Sequence, residues 1–229
     1  FREAEDPQGA LLQDELTDLS KKTGVRIIGP NIFGFVNVTS NVNASFTPMF
    51  NRLRKGPIAI VSQSGGICHY VMHNYAEEAG FSYVVHLGNR CDVDFPEVLK
   101  FLRDDEYTKV VTLYIEGVNN ARELYHAVSE ASKVKPVIAL KAGRSPLADK
   151  ASKSHTGALA GNYNLYKHAL KQAGAIVVDN PVELMDLAKA LTIIWKLHPG
   201  GLAIIAIQAG LGLMALDVIE EYGSEVARF

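Results

Sequence analysis

Ser154-His155-Thr156-Gly157, with Lys141-Ala142-Gly143-Arg144 upstream, sets one histidine in a small polar stretch soon after a predicted strand, Pro136 to Leu140. A ring so placed is open to a reactant. Near neutral pH an imidazole can act as nucleophile, acid–base group or phosphate acceptor. Glu116 is the second chemical candidate, because it follows the apolar run Val110 to Ile115 and precedes Gly117, at a strand exit. It reads either as a loop-capping acid or as the group that holds one nitrogen of His155 and frees the other to attack.

Two strand-turn-glycine-helix units supply places for an anion. The first is Ile58-Ala59-Ile60-Val61-Ser62-Gln63-Ser64-Gly65-Gly66; the second runs from Leu202 through Gln208-Ala209-Gly210-Leu211-Gly212. Each predicts a buried strand followed at once by a helix whose first N–H groups are left uncovered by small residues. Gln63 aligns with Gln208 and Gly65 with Gly210, which suggests two related α/β domains. Lys141 and Arg144 either attract phosphate or solvate a turn. Asp92 and Asp94 read as helix-capping acids ahead of Phe95 rather than a metal pair. His69 and His73 lie one turn apart, opposite the apolar face, and read as solvent-exposed; His86, His126, His168 and His198 have no distinguishing context.

The elements that must position these groups alternate steadily. Strands are predicted at 58–62, 83–87, 110–115, 136–141 and 175–178, with helices at 66–79, 95–103, 119–132, after Gly157, and from Pro181 to Trp195. Runs such as Val110-Val111-Thr112-Leu113-Tyr114-Ile115 are near-continuously apolar, as strands covered on both faces must be. The expected fold is therefore α/β, a three-layer parallel sheet, with ligands gathered outside the carboxyl ends of the strands. Residues 10–23 read as an amphipathic helix burying Leu11, Leu12, Leu16 and Leu19, residues 25–28 as a short strand, and residues 35–55 as a polar connecting stretch.

Composition narrows the classes. The 229 residues are 48% hydrophobic, enough for a real core, and the formal charge of -2 provides no basic field for nucleic acid. No apolar run reaches the length of a membrane span and Phe1-Arg2-Glu3-Ala4-Glu5-Asp6 is no cleavable signal, so a cytoplasmic location is expected. Cys68 and Cys91 form neither metal spacing nor a disulfide framework. Both ends look cut, as in an internal fragment.

Gly29-Pro30-Asn31, Val61 to Gly66, Leu87-Gly88-Asn89, Tyr114-Ile115-Glu116-Gly117, Lys141 to Ser145 and Ser154 to Ala158, in this order, resemble the nucleoside-diphosphate-forming acyl-CoA synthetases of the ADP-forming acetyl-CoA synthetase type, relatives of succinyl-CoA synthetase. The resemblance covers nearly the whole chain. It implies a flavodoxin-like, succinyl-CoA synthetase-like domain at 56–198. The end of a CoA-binding domain and linker would precede it at 1–55, and the start of a second succinyl-CoA synthetase-like domain would follow at 199–229.

It further implies an acid-thiol ligase. Acyl-CoA, phosphate and a nucleoside diphosphate would interconvert with acid, CoA and nucleoside triphosphate through an acyl phosphate and a phosphohistidine at His155, oriented by Glu116. Phosphate would be held by Ser62, Gln63, Ser64, Gly65 and Gly66 and by Ala209, Gly210 and Leu211, and CoA or the acyl group by Asn31 and Asn89. Ile32 stands where succinyl-CoA synthetases usually carry cysteine, so no thiol contact is carried over. No metal is implied at these residues. ADP or ATP with Mg2+ would bind an ATP-grasp domain or subunit, since no Gly-x-x-x-x-Gly-Lys-Ser/Thr loop is present. The enzyme is expected to be oligomeric, and this fragment inactive alone.

Two rivals remain. Ser64, Glu116 and His155 follow the chain order of an α/β-hydrolase triad, although Ser62 stands where a nucleophile elbow needs glycine. The same architecture could also serve as a CoA-binding regulatory module that has lost catalysis.

Overall fold

A computed structural model describes residues 7–145, 147–148, 162–194 and 201–227. The chain divides into two compact units, Phe1–Ile193 and Ile194–Phe229.

The first unit is built on a seven-stranded sheet. Its strands are β1 (Gly34–Asn37), β2 (Val42–Ser45), β3 (Lys55–Ser62), β4 (Phe81–His86), β5 (Val110–Ile115), β6 (Val137–Lys141) and β7 (Ile176–Val178), in the spatial order β2-β1-β4-β3-β5-β6-β7. β4, β3, β5, β6 and β7 run parallel to one another, as their apolar runs require. The helices are α1 (Pro7–Thr23), α2 (Gly65–Tyr75), α3 (Phe95–Asp104), α4 (Ala121–Ser132), α5 (Tyr163–Gln172) and α6 (Pro181–Ile194).

Side chains alternate along each strand and so supply two cores. Ala59 and Val61 of β3 pack with Leu99 and Leu102 of α3, Leu124 and Val128 of α4 and Leu170 of α5. Ile58 and Ile60 face the other way, onto Val71 and Met72 of α2 and Leu184 and Met185 of α6. Helices on both faces of the sheet make the expected three layers.

Three expectations fail in the first unit, each for a local reason. Residues 34–45, taken as part of a linker, form two strands. β1 pairs antiparallel with both β2 and β4, which makes the sheet mixed rather than wholly parallel. The polar composition belongs to the outer strand and to the turn at Asn41, whose φ is 56°. An edge strand need not be apolar on both faces.

Residues 25–28 are not a strand. This segment lies against the loop after β4, where Asp92 accepts from Ile27 N (2.7 Å) and from Arg26 Nε (3.0 Å) and Val93 N donates to Ile27 O (3.0 Å). A loop partner offers no ladder to extend.

α1 presents its polar side inward. Gln13 and Ser20 are buried while Leu11, Leu12 and Leu19 are exposed. Its partner is again the polar loop after β4: Thr17 Oγ1 donates to Cys91 O (2.9 Å), and Gln13 Oε1 accepts from Asn89 Nδ2 (2.9 Å). Hydrogen bonding there outweighs apolar burial.

The second unit contains α7 (Ala209–Glu221). The strand expected from Leu202 to Ile207 does not form; among the described residues only a single bridge joins Leu202 to Val226, and Ile205 and Ile207 are exposed. No described neighbour offers the ladder that an apolar strand needs. No helix among the described residues is long and apolar enough to cross a membrane.

Candidate active site at the carboxyl ends of the strands

Three apolar strands carry polar residues in register at or next to their carboxyl ends: Ser62 of β3 lies beside His86 of β4 and Tyr114 of β5. The chain after β3 then folds on itself. Ser62 is fully buried; its hydroxyl donates to Ser64 O (2.9 Å) and accepts from Ser64 N (3.0 Å), holding the turn that opens α2. The first intrahelical bond of α2 is Cys68 N to Ser64 O (3.3 Å), so the N–H groups of Gly65, Gly66 and Ile67 lie before it. Ser64 caps the helix without a side-chain bond. This is a helix N-terminus with open amides, at the strand exits where the sequence places one.

Gln63 ties this turn to Glu116. Its side-chain Oε1 accepts from Glu116 N (2.7 Å) and Gly117 N (3.0 Å), and its own N donates to Tyr114 O (3.2 Å). With both amides bound to Oε1, the side-chain orientation is settled, and Nε2 is buried without a hydrogen-bond partner among the described residues. Gln63→Leu strips the acceptor from two N–H groups, one of them fully enclosed. It should destabilise the protein by about 2–5 kcal/mol, read as a lower urea midpoint. Gln63→Glu keeps the acceptor and should recover part of that loss; equal midpoints for the two variants would contradict the bridging role.

Glu116 is held through its backbone from a second side. Lys141, buried at the end of β6, donates from Nζ to Glu116 O (2.9 Å) and Ala142 O (2.6 Å), and its ammonium lies 4.9 Å from the Tyr166 ring centroid. It binds strand-exit carbonyls, a use that neither sequence reading considered. Burial, and secondarily the Glu116 charge, push the Tyr114 hydroxyl up to about 12. Arg144 is exposed and pairs with Asp179 at 3.5 Å.

Asn31 and Asn89 meet beside this turn. Asn31 follows the cis Gly29–Pro30 bond at φ 61° and donates from Nδ2 to Asn89 Oδ1 (3.4 Å), while Asn89 N donates to Pro30 O (2.9 Å). Next to them Arg90 is buried, with Nη1 donating to Gly117 O (2.8 Å) and Asp94 Oδ1 (3.3 Å). Asp94 in turn caps α3 in a reciprocal box with Glu97 and accepts from Asn119 N (3.4 Å). Asp94 thus serves as the capping acid that the sequence indicates, while Asp92 binds Arg26 and Ile27 N.

His86 was passed over by the sequence reading. Its Nδ1 accepts from Phe33 N (3.1 Å), its Nε2 donates to Gln63 O (3.0 Å), and burial holds it below the ordinary imidazole value of 6.5. The available signal was a titratable residue closing the apolar run Tyr83-Val84-Val85, level with Ser62. His69, expected in solvent, instead contacts Gly65 O through Nδ1 (2.7 Å), with its ring centroid 5.5 Å from those of Phe33 and Phe50. His73 is exposed.

The cysteines are buried and unbridged, and burial pushes the Cys68 thiol up to about 12. Among the described residues no three His, Cys, Asp or Glu side chains gather as a metal site. In the second unit, α7 opens after Gln208 with no side-chain cap; Ala209, Gly210 and Leu211 are exposed, and an added Cβ on Gly210 would meet nothing within 4 Å. His155 and the rest of its loop lie outside the described residues.

Residues 55–191 match the family described as succinyl-CoA ligase like flavodoxin domain. The chain is 39% identical over 217 residues to the alpha subunit of acetate–CoA ligase [ADP-forming] I of Pyrococcus furiosus, covering 94% of this chain and 46% of that protein. It is 37% identical over 220 residues to 4-hydroxybutyrate–CoA ligase [ADP-forming] of Nitrosopumilus maritimus, covering 95% of this chain and 31% of that one. A solved structure of a Ca. Korarchaeum cryptofilum acetyl-coenzyme A synthetase, in complex with phosphate and ADP, superposes with a TM-score of 0.88 at 32% identity, over 99% of this chain and 48% of the other. The chain thus spans about half the length, or less, of the relatives it matches. With that match, the mostly parallel sheet and the turns at its strand exits, the chain belongs to the succinyl-CoA ligase family, in the region that resembles the alpha subunits of ADP-forming acetyl-CoA synthetases.

Proposed function

We propose that the protein containing this chain interconverts acyl-CoA, phosphate and a nucleoside diphosphate with a free carboxylic acid, CoA and a nucleoside triphosphate. His155 carries the phosphoryl group and Glu116 orients its ring. The observation that carries this reading is the Gln63 bridge, which holds the open N-terminus of α2 and the backbone of Glu116 at one end of the sheet. It is supported by the ligases to which the chain is similar, one of which was solved with phosphate and ADP.

The chemistry balances in three reversible steps. A phosphate oxygen attacks the thioester carbonyl, the C–S bond breaks, and CoA leaves as the thiol while an acyl phosphate forms. A neutral ring nitrogen of His155 attacks the phosphorus of the acyl phosphate, and the carboxylate leaves. A β-phosphate oxygen of the nucleoside diphosphate then takes the phosphoryl group from the histidine.

The amides of Gly65 and Gly66, with the positive end of α2, stabilise the transferring anion by about 0.3–2 kcal/mol. Gln63, Ser62 and Ser64 shape that turn. Ala209, Gly210 and Leu211 of the second unit offer a comparable helix N-terminus to phosphate, and Asn31 and Asn89 bind the CoA or acyl side. An ATP-grasp domain or subunit supplies the nucleotide with its Mg2+.

Incubating the complete enzyme with ATP labelled at the γ-phosphate tests this reading. An acid-labile, base-stable phosphate is expected on the peptide that holds His155. Label on a serine, or none, sinks the proposal, and an acyl adduct on Ser64 would revive the hydrolase.

A further inference from the structure

His86 stands where three segments meet: the end of β4, the stretch following Pro30, and the turn into α2. The protonation state of its ring follows from its partners. Phe33 N can only donate, so Nδ1 is a bare acceptor at 3.1 Å; the carbonyl of Gln63 can only accept, so Nε2 carries the hydrogen at 3.0 Å. The ring lies on Phe33, with centroids 4.7 Å apart, and directly against Gly65, where an added Cβ would come within 3.0 Å of Cε1. The same Gln63 whose carbonyl it holds grips Glu116 and Gly117 through its side chain. The imidazole thus joins the segment after Asn31 to the Gln63 peptide, and the side chain of that same Gln63 carries the connection on to Glu116.

We propose that His86 is a positioning residue of this site: its neutral, Nε2-protonated ring sets the Gln63 peptide, and with it the first amides of α2 and the grip on Glu116. The proposal rests on the phosphoryl-transfer reading only for its kinetic consequences.

Protonation would place a second N–H against Phe33 N–H, donor facing donor, and release the stretch after Pro30. Burial opposes that charge. The hydrogen bond to the Gln63 carbonyl works partly against this, and His69 of α2 is the titratable group that adds to it; Phe33, Gln63 and Gly65, which touch the ring from the other segments and the helix start, carry no charge. Because the folded ring takes up its proton at lower pH than an unfolded one, the arrangement is intact at neutral pH and is lost only as pH falls through the folded ring's own value, which lies below 6.5.

The test uses the complete enzyme. His86→Phe keeps a ring and removes both nitrogens; His86→Gln can restore an Nε2 donor and cannot titrate. For His86→Phe, kcat should fall roughly 10–100-fold with the nucleotide KM unchanged, the signature of misplaced reacting groups. His86→Gln should recover much of the rate at pH 7.5 and lose the acidic decline expected of the unmodified enzyme below pH 6.5.

Unchanged kcat in His86→Phe, or the same acidic decline in His86→Gln, overturns the proposal. Should His86→Phe fail to fold, the pH profile of His86→Gln decides alone. Nitrogen-15 histidine spectra of the complete enzyme give a readout independent of turnover. A pyridine-like Nδ1 and a pyrrole-like Nε2 are expected at pH 7.5, and the opposite tautomer or a doubly protonated ring overturns the assignment. An enzyme with the expected ring state and no ligase activity would sink the phosphoryl-transfer reading while upholding the placement of His86.

Discussion

His155→Ala in the complete enzyme is expected to abolish the acid-labile phosphoenzyme and to lower turnover by roughly 10⁴-fold or more. Methyl cannot accept a phosphoryl group, and the proposed sequence of steps uses no other nucleophile. Glu116→Gln should act differently, because the backbone of Glu116 is held by Gln63 and Lys141 whatever its side chain is. The backbone at the strand exit stays held, and the charge proposed to orient the imidazole is lost. Phosphoenzyme should still form, roughly 10²-fold more slowly. Rapid-quench measurement of labelled phosphate on both variants checks the pair. A phosphoenzyme at full level in His155→Ala would require a different carrier, and a Glu116→Gln variant at the unmodified rate would remove the carboxylate from the mechanism.

Gly88→Ala is expected to be among the most damaging small substitutions outside the reacting groups. Gly88 has φ +53°, and its missing Cβ is where the carbonyl oxygens of Pro30 and Asn31 sit, with Ile32 Cγ2 only 2.7 Å from that position. Two of the obstructing atoms belong to backbone, so no rotamer relieves the overlap. The loops must part, which breaks the bonds from Asn89 N to Pro30 O and from Cys91 N to Gly29 O. The expected cost is about 3–5 kcal/mol, or a melting temperature lower by on the order of 10 °C. Since the same shift separates Asn31 from Asn89, the KM for CoA should rise more than that for the nucleotide. Thermal unfolding near that of the unmodified protein would show that this pair of loops yields more readily than its packing implies.

What was legible in the sequence was local in physical origin. Ile58 to Val61 and Val110 to Ile115 must be covered on both faces, and runs so apolar fit little besides central parallel strands. Ser64-Gly65-Gly66 at a strand exit announces a helix start with bare amides, and the acids Asp92 and Asp94 ahead of Phe95 announce a cap, which Asp94 provides. Where the partner of a segment is polar, the same rules mislead. α1 turns Gln13 rather than its leucines inward because the loop at Asn89 to Cys91 offers hydrogen bonds. β1 and β2 go unnoticed because outer strands in an antiparallel pair can carry asparagine and serine.

His86 was missed for a related reason. Its environment consists of Phe33, Gln63 and Gly65, none adjacent to it in the chain, and periodicity carries no information about them. The sequence alone determined which residue types stand at the strand exits, because burial on both sides dictates where an apolar run must begin and end. Only the tertiary structure decided that Gln63 reaches Glu116, 53 positions away, and that His86 reaches Gln63. Those meetings depend on β3 lying between β4 and β5 with Ser62 level with His86 and Tyr114. Strand order and register are properties of the assembled sheet, in which every strand constrains its neighbours, and no single segment specifies them.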